Sequence, residues 1–185
     1  MDKRKVLKIV APLLIIVVIA GIWAYKNYGT AKTETPLPST GADGVELTAD
    51  EQLDFALDAA SFDLEKLKTY GLPIIIDFGA DWCGPCRNFA PILDAAHEEM
   101  LGKAIIKYVD TDTYAEIAGA FPVTVIPTQV FINADGTPYV PSDDLGVEFI
   151  NYTDKDSGLA TFTVHEGGLT AEQLRAILTD MGAQA

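Results

Sequence analysis

Apolar runs along this chain alternate with polar breaks in an order that predicts alternating strands and helices. Leu72–Phe78 is apolar at every position except Asp77, as suits a central strand buried on both faces. Cys83–Met100 then reads as a long helix, which Pro91 should kink by removing a backbone donor. Lys103–Val109 predicts a strand, Tyr114–Ala120 a short helix, and Gln129–Asn133 a strand that turns at Asn133-Ala134-Asp135-Gly136. Thr161–Glu166 is its partner, and Val147–Tyr152 is either an extra strand or an extension of that hairpin. Two capping boxes mark helix starts. Thr48-Ala49-Asp50-Glu51 opens a helix from Ala49 to about Ala59, and Thr170-Ala171-Glu172-Gln173 opens the last one, to about Met181. A short helix, Phe62–Thr69, should start at Ser61 and stop at Gly71.

The first residues follow another pattern. Lys3, Arg4, Lys5 and Lys8 precede Ile9–Tyr25, a run with no charged residue. Such a run is near the lower length limit for spanning a bilayer, and Trp23, Tyr25 and Tyr28 suit the far interface. Residues 1–26 are therefore expected to form an uncleaved signal anchor, a transmembrane helix with its basic end in the cytoplasm and the rest of the chain extracytoplasmic. The run is long for a signal-peptide core, and the segments around Ala20 and Ala24 make poor cleavage sites. Were it cleaved, the protein would be secreted. Residues 27–47 are rich in Thr, Pro and Gly without apolar period and read as a flexible linker. A helical extension over 48–71 and a domain over 72–185 complete the organisation, with an insertion at about 137–160.

From residue 33 onward the chain has seven Lys or Arg against 26 Asp or Glu, a net −19. That field repels nucleic acid and anionic lipid surfaces, which argues against both as partners of this part.

The two cysteines sit together in Trp82-Cys83-Gly84-Pro85-Cys86, directly after the apolar strand. A Cys-x-x-Cys pair at a helix start can cycle between dithiol and disulfide with little backbone motion, because free N–H groups and the helix dipole stabilise a thiolate there. Half of a zinc site would need two further ligands, and His97 and His165 stand at no recognisable spacing; no metal is expected. Cys83, ahead of the helix, should be the exposed attacking thiol. Cys86, one turn in and shielded, should resolve the mixed disulfide. Gly84-Pro85 allows the tight bend, and Pro suits the first turn. Asp77, a lone carboxylate in an apolar strand, should be buried, with a raised pKa, and should move a proton to or from Cys86. Trp82 is expected to offer a flat exposed contact surface. His97, beside Glu98 and Glu99, reads as a solvated residue of the long helix.

Residues 74–93 closely resemble the active-site region of thioredoxins. Ile126-Pro127-Thr128 is similar to that family's cis-proline loop, and Glu166-Gly167-Gly168-Leu169 to the glycine turn before its last helix. Three separated motifs in the family's order cover about residues 72–182. The resemblance implies a thioredoxin-like α/β fold, a central mixed sheet flanked by helices. It implies a protein-disulfide oxidoreductase that works through a redox-active Cys83–Cys86 disulfide and no cofactor. Disulfide-containing client proteins would bind around Trp82, Gly84, Pro85, Ile126, Pro127 and Gly167. An exported reductant also implies a transmembrane electron donor. Thiol oxidase or isomerase activity, and a non-catalytic peptide-binding role, share these motifs. Two departures stand out. Gly79 replaces the tryptophan that thioredoxins commonly carry, and Tyr108 stands where a lysine often approaches the buried aspartate. Lys107, one residue off, should face the other way.

Overall fold

The computed structural model describes residues 48–142 and 144–183. The expected anchor over 1–26 and linker over 27–47 lie outside them, and no helix among the described residues is long and apolar enough to cross a membrane.

Five strands form one mixed sheet in the order β2-β1-β3-β5-β4. They are β1 (Ile74–Gly79), β2 (Ile105–Asp110), β3 (Thr128–Ile132), β4 (Ile150–Thr153) and β5 (Ala160–Glu166). Strand β1 is buried throughout; it runs parallel to β2 and antiparallel to β3. Having partners on both sides, it satisfies its backbone groups without water, which is why a run apolar at every position but Asp77 is tolerated there. Five helices complete the described fold: α1 (Ala49–Phe55), α2 (Leu64–Lys68), α3 (Gly84–Glu99), α4 (Ala115–Ala118) and α5 (Ala171–Asp180).

The two faces of the sheet carry separate cores. Ile75, Ile106 and Phe131 pack with Phe89 and Leu93 of α3 and with Leu174, Ile177 and Leu178 of α5. On the opposite face Phe121 links the rings of Phe62, Phe78 and Phe162, with centroids 5.1–6.2 Å apart.

Several element boundaries depart from the sequence reading. Helix α1 keeps its Thr48 capping box but stops at Phe55, short of Ala59. The chain turns extended at Ala56 and pairs with β2, Tyr108 N–H donating to Leu57 O and Ala59 N–H to Tyr108 O. Sheet hydrogen bonds with a buried neighbour outcompete a last helical turn. The orphan carbonyls at this helix end are met from a distance. Lys107 is buried and donates from Nζ to Leu53 O (2.9 Å) and Ala56 O (2.7 Å), while His97 Nε2 lies 2.7 Å from Phe55 O. His97 is thus half-buried and partnered rather than merely solvated. Burial pushes the Lys107 ammonium down to about 8, with Asp54 pulling the other way.

Helix α2 starts later than expected because Asp63, not Ser61, caps it, accepting from the N–H groups of Glu65 and Lys66. The insertion does supply an extra strand, β4, over Ile150–Thr153 rather than Val147–Tyr152. It is an edge strand antiparallel to β5. Its approach is tied down by Asp180 of α5, which accepts from Tyr139 Oη (2.5 Å), from Ser142 N–H (3.0 Å) and from Ser142 Oγ.

Candidate active site

Cys83 and Cys86 form a disulfide with Cα atoms 5.2 Å apart. Cys83 is the N-cap of α3, in extended conformation, and its Sγ accepts the Cys86 N–H at 3.2 Å. A sulfur in that place takes the position of a capping oxygen, so a thiolate formed there replaces an otherwise unmet acceptor at the positive helix end. Pro85 sits in the first turn, where its missing N–H costs nothing.

The expected exposure of Cys83 is corrected. In the disulfide form it is 4% exposed and Cys86 6%. The cover comes from the loop ahead of β3: Cys83 Sγ lies 3.7 Å from Ile126 O, and the Ile126–Pro127 peptide is cis. What distinguishes the two sulfurs is therefore placement, one at the helix cap against this loop and one inside the first turn.

Other site residues converge from three segments. Trp82 is 67% exposed, and its indole N–H donates to Asp112 Oδ2 at 2.7 Å, which fixes a flat apolar face beside the disulfide. Pro127 is buried, and Gly167 N–H donates to Pro127 O at 2.8 Å. Gly167 has φ +113°, a conformation that side chains rarely adopt, so the turn holding the proline loop needs glycine there. Thr124 Oγ1 donates to Glu166 Oε1 (2.7 Å), a second strap between the same two segments. Gly168 comes against α3: a Cβ added there would lie 3.6 Å from Phe89 Cβ and 3.9 Å from Pro85 O. The glycine-turn motif points to Glu166 and Gly168 without showing what they touch, and nothing in the spacing of Thr124 announces its partner.

Asp77 is 2% exposed, so it faces no water. Burial pushes its carboxyl up to about 7, against the pull of Gln129, whose Nε2 donates to Oδ1 at 2.7 Å. Side chains two apart on a strand share a face. A Cβ added at Gly79 would lie 3.4 Å from Cys86 Cβ, so Asp77 is on the face that carries Cys86. The same test explains the missing tryptophan. That Cβ would stand 2.9 Å from Tyr108 Cε2 and 3.4 Å from Tyr108 Oη. Tyr108, the register partner of Asp77 on β2, swings its ring over Gly79 and occupies the room a larger residue would need. Burial, with the negative charges of Asp110 and Asp77 behind it, raises the Tyr108 phenol well above its ordinary range. Lys107 faces the other way, as alternation requires.

Among the described residues no group of three or more His, Cys, Asp or Glu side chains is placed to hold a metal ion. The site's chemistry is that of a dithiol–disulfide pair with a buried carboxyl on the same face.

Comparison with known proteins agrees. The thioredoxin family model matches residues 55–144, beginning upstream of Leu72 within the helical segment. Among curated relatives, an H-type thioredoxin of Chlamydomonas reinhardtii is 40% identical over 82 residues, which cover 44% of this chain and 69% of that protein. Thioredoxin H4 of Arabidopsis thaliana is 35% identical over 100 residues, covering 52% of this chain and 84% of its own. An H-type thioredoxin of Oryza sativa subsp. indica is 38% identical over 86 residues, covering 44% and 70% respectively. The chain belongs to the thioredoxin family. It is a protein-disulfide oxidoreductase, a class that acts through a redox-active disulfide without a cofactor.

Proposed function

We propose that this protein is a membrane-anchored, extracytoplasmic reductant of disulfides in client proteins. The observation that carries the chemistry is the Cys83 sulfur at the helix cap, 3.2 Å from the Cys86 N–H and 3.7 Å from Ile126 O, with Asp77 on the face of Cys86. In the reduced protein the Cys83 thiolate attacks one sulfur of a client disulfide. An S–S bond forms between Cys83 and the client, and the other client sulfur leaves as a thiolate. Asp77 takes the proton of the Cys86 thiol, and the Cys86 thiolate attacks Cys83. The second client sulfur leaves as a thiolate, the two client thiolates take up protons, and Cys83–Cys86 carries the disulfide. Two electrons have passed to the client.

Trp82, Gly84, Pro85, Ile126, Pro127 and Gly167 supply the surface a client segment meets, the backbone at Ile126 offering groups for strand-like pairing. The reducing direction is supported by the Gly84-Pro85 dipeptide, which matches that of thioredoxin. The location is supported by the sequence of residues 1–26 alone: a basic cluster, then an uncharged apolar run. An extracytoplasmic reductant needs its dithiol regenerated, so a transmembrane electron carrier is the implied donor.

The purified full chain should catalyse reduction of a protein disulfide by dithiothreitol. In intact cells that produce it, a membrane-impermeant maleimide added after reduction should label Cys83. Absence of catalysis would remove the chemical reading. Labelling only after lysis would remove the location.

A further inference from the structure

The row of residues that crosses the sheet through Asp77 contains a second polar side chain with an unusual arrangement. Tyr108 pairs with Asp77, Asp77 with Gln129, and Gln129 with His165, so these four lie side by side on the face packed by α3. Gln129 is fully buried. One end of its amide donates to Asp77 Oδ1 at 2.7 Å, and the other end, Oε1, is the one buried side-chain nitrogen or oxygen among the described residues with no hydrogen-bond partner. Burying an amide in a strand whose neighbours are Thr128, Val130, Phe131 and Ile132 is costly, and leaving its oxygen unmet costs more. A leucine would fill the place without either cost, so the amide is there for Asp77.

We propose that Gln129 sets the proton affinity of Asp77, its amide donating to the ionised carboxylate and turning over to accept from the carboxylic acid. The inference rests on the reading of Asp77 as the proton acceptor for Cys86 only for its consequence in exchange. The amide itself is suited to both states, with two donors at one end and an acceptor at the other. Rotation about the last side-chain bond, a soft two-fold torsion, exchanges the ends. With Asp77 ionised, Nε2–H meets the negative charge. With Asp77 protonated, its O–H is a donor, and Oε1 is the buried acceptor without a partner. Gln129 is therefore a positioning residue that acts through Asp77.

Among the described residues, the other titratable groups on this face around Asp77 include Tyr108 of β2 and, two residues on, Asp110, with Cys86 of α3 once the disulfide is open and His165 of β5. His165 lies one strand beyond Gln129, with its Nδ1 2.9 Å from Glu148 O. Lys107 is on the opposite face, bound to α1 carbonyls. Gln129 is in direct hydrogen-bond contact with the carboxylate.

The test is a carbon-13 NMR titration of the Asp77 carboxyl in the full chain, oxidised, in lipid nanodiscs. In the parent protein the Gln129 side-chain N–H signals should move with the same midpoint as Asp77. In Gln129→Leu both bonds go, and because the one to the charged carboxylate is roughly twice as strong as the one to the neutral acid, the Asp77 midpoint should rise, by about one pH unit. Gln129→Met, which keeps the chain length, should do the same. A merely structural glutamine would change the melting temperature and leave the midpoint in place, so an unmoved or lowered midpoint in both variants overturns the proposal. The role of Asp77 in exchange is judged separately from the kinetics of Asp77→Asn. A midpoint that follows Gln129 while Asp77→Asn exchanges at the parent rate would remove the proton-transfer step and support the Gln129 assignment.

Discussion

Cys83→Ser should lose disulfide reduction down to the uncatalysed rate, whereas Cys86→Ser should accumulate covalent adducts with clients. The difference follows from placement. Cys83 caps α3, where its sulfur already accepts the Cys86 N–H at 3.2 Å, and it lies against the loop that clients would meet at Ile126. A thiolate is stabilised there by the helix start, and without it no mixed disulfide forms. Cys86 lies within the first turn and acts only on the bond that Cys83 has made. Removing it leaves the first step intact and the second impossible, so the adduct persists until an external thiol attacks it. Non-reducing electrophoresis of both variants with a disulfide-containing protein reads this directly. Adducts on Cys83→Ser and none on Cys86→Ser would reverse the assignment.

Asp77→Asn should slow resolution by about 10²-fold near neutral pH, the size of effect expected for one positioned proton acceptor. The same variant should be more stable above pH 7. Burial holds the folded carboxyl at about 7, against an ordinary value of 3.8. A group whose folded pKa lies above its unfolded one favours folding fully below the unfolded value, and that contribution is lost as pH rises through the folded value. Between about pH 4 and pH 7 the parent protein therefore loses stability that Asn, which does not titrate, retains. The gap at pH 8 is on the order of 4 kcal/mol, and it should close towards pH 4. Urea unfolding at pH 4 and pH 8, beside rates over the same range, checks both halves. Equal rates across the range would end the proton-transfer role, and equal stabilities at pH 8 would show that the carboxylate is solvated after all. A slower but more stable variant is the behaviour of a residue kept for chemistry at the expense of the fold.

The outcome for individual residues shows what the sequence could and could not convey. Strand β1 and the helix start at Cys83 are legible because each rests on local signals, an apolar run broken only by Asp77 and a Cys-Gly-Pro-Cys cap. Asp77 was legible as a buried acid for the same reason, a carboxylate where apolar residues surround it. Gln129 carries no such signal, although it is equally polar in an equally apolar strand. Its meaning depends on register, which places it opposite Asp77, and register is set by long-range pairing. In sequence Tyr108 shows only as a departure from the family pattern, and the packing that makes Gly79 necessary needs the ring's position. The end of α1 failed for a related reason: propensity favours helix to Ala59, and pairing with β2 overrides it. The burial of Cys83 is not legible locally because the loop at Ile126 comes from 43 residues away.

The reduction potential of the Cys83–Cys86 pair tests the proposed direction of electron flow most directly. Equilibration with glutathione buffers, read by Trp82 fluorescence, should give a value below roughly −220 mV, nearer thioredoxin than the oxidising relatives. The helix start is the stabiliser of the Cys83 thiolate at hand, so the dithiol is not held so strongly that it refuses to give up its electrons. A value near −120 mV would contradict this account and make the protein an oxidant.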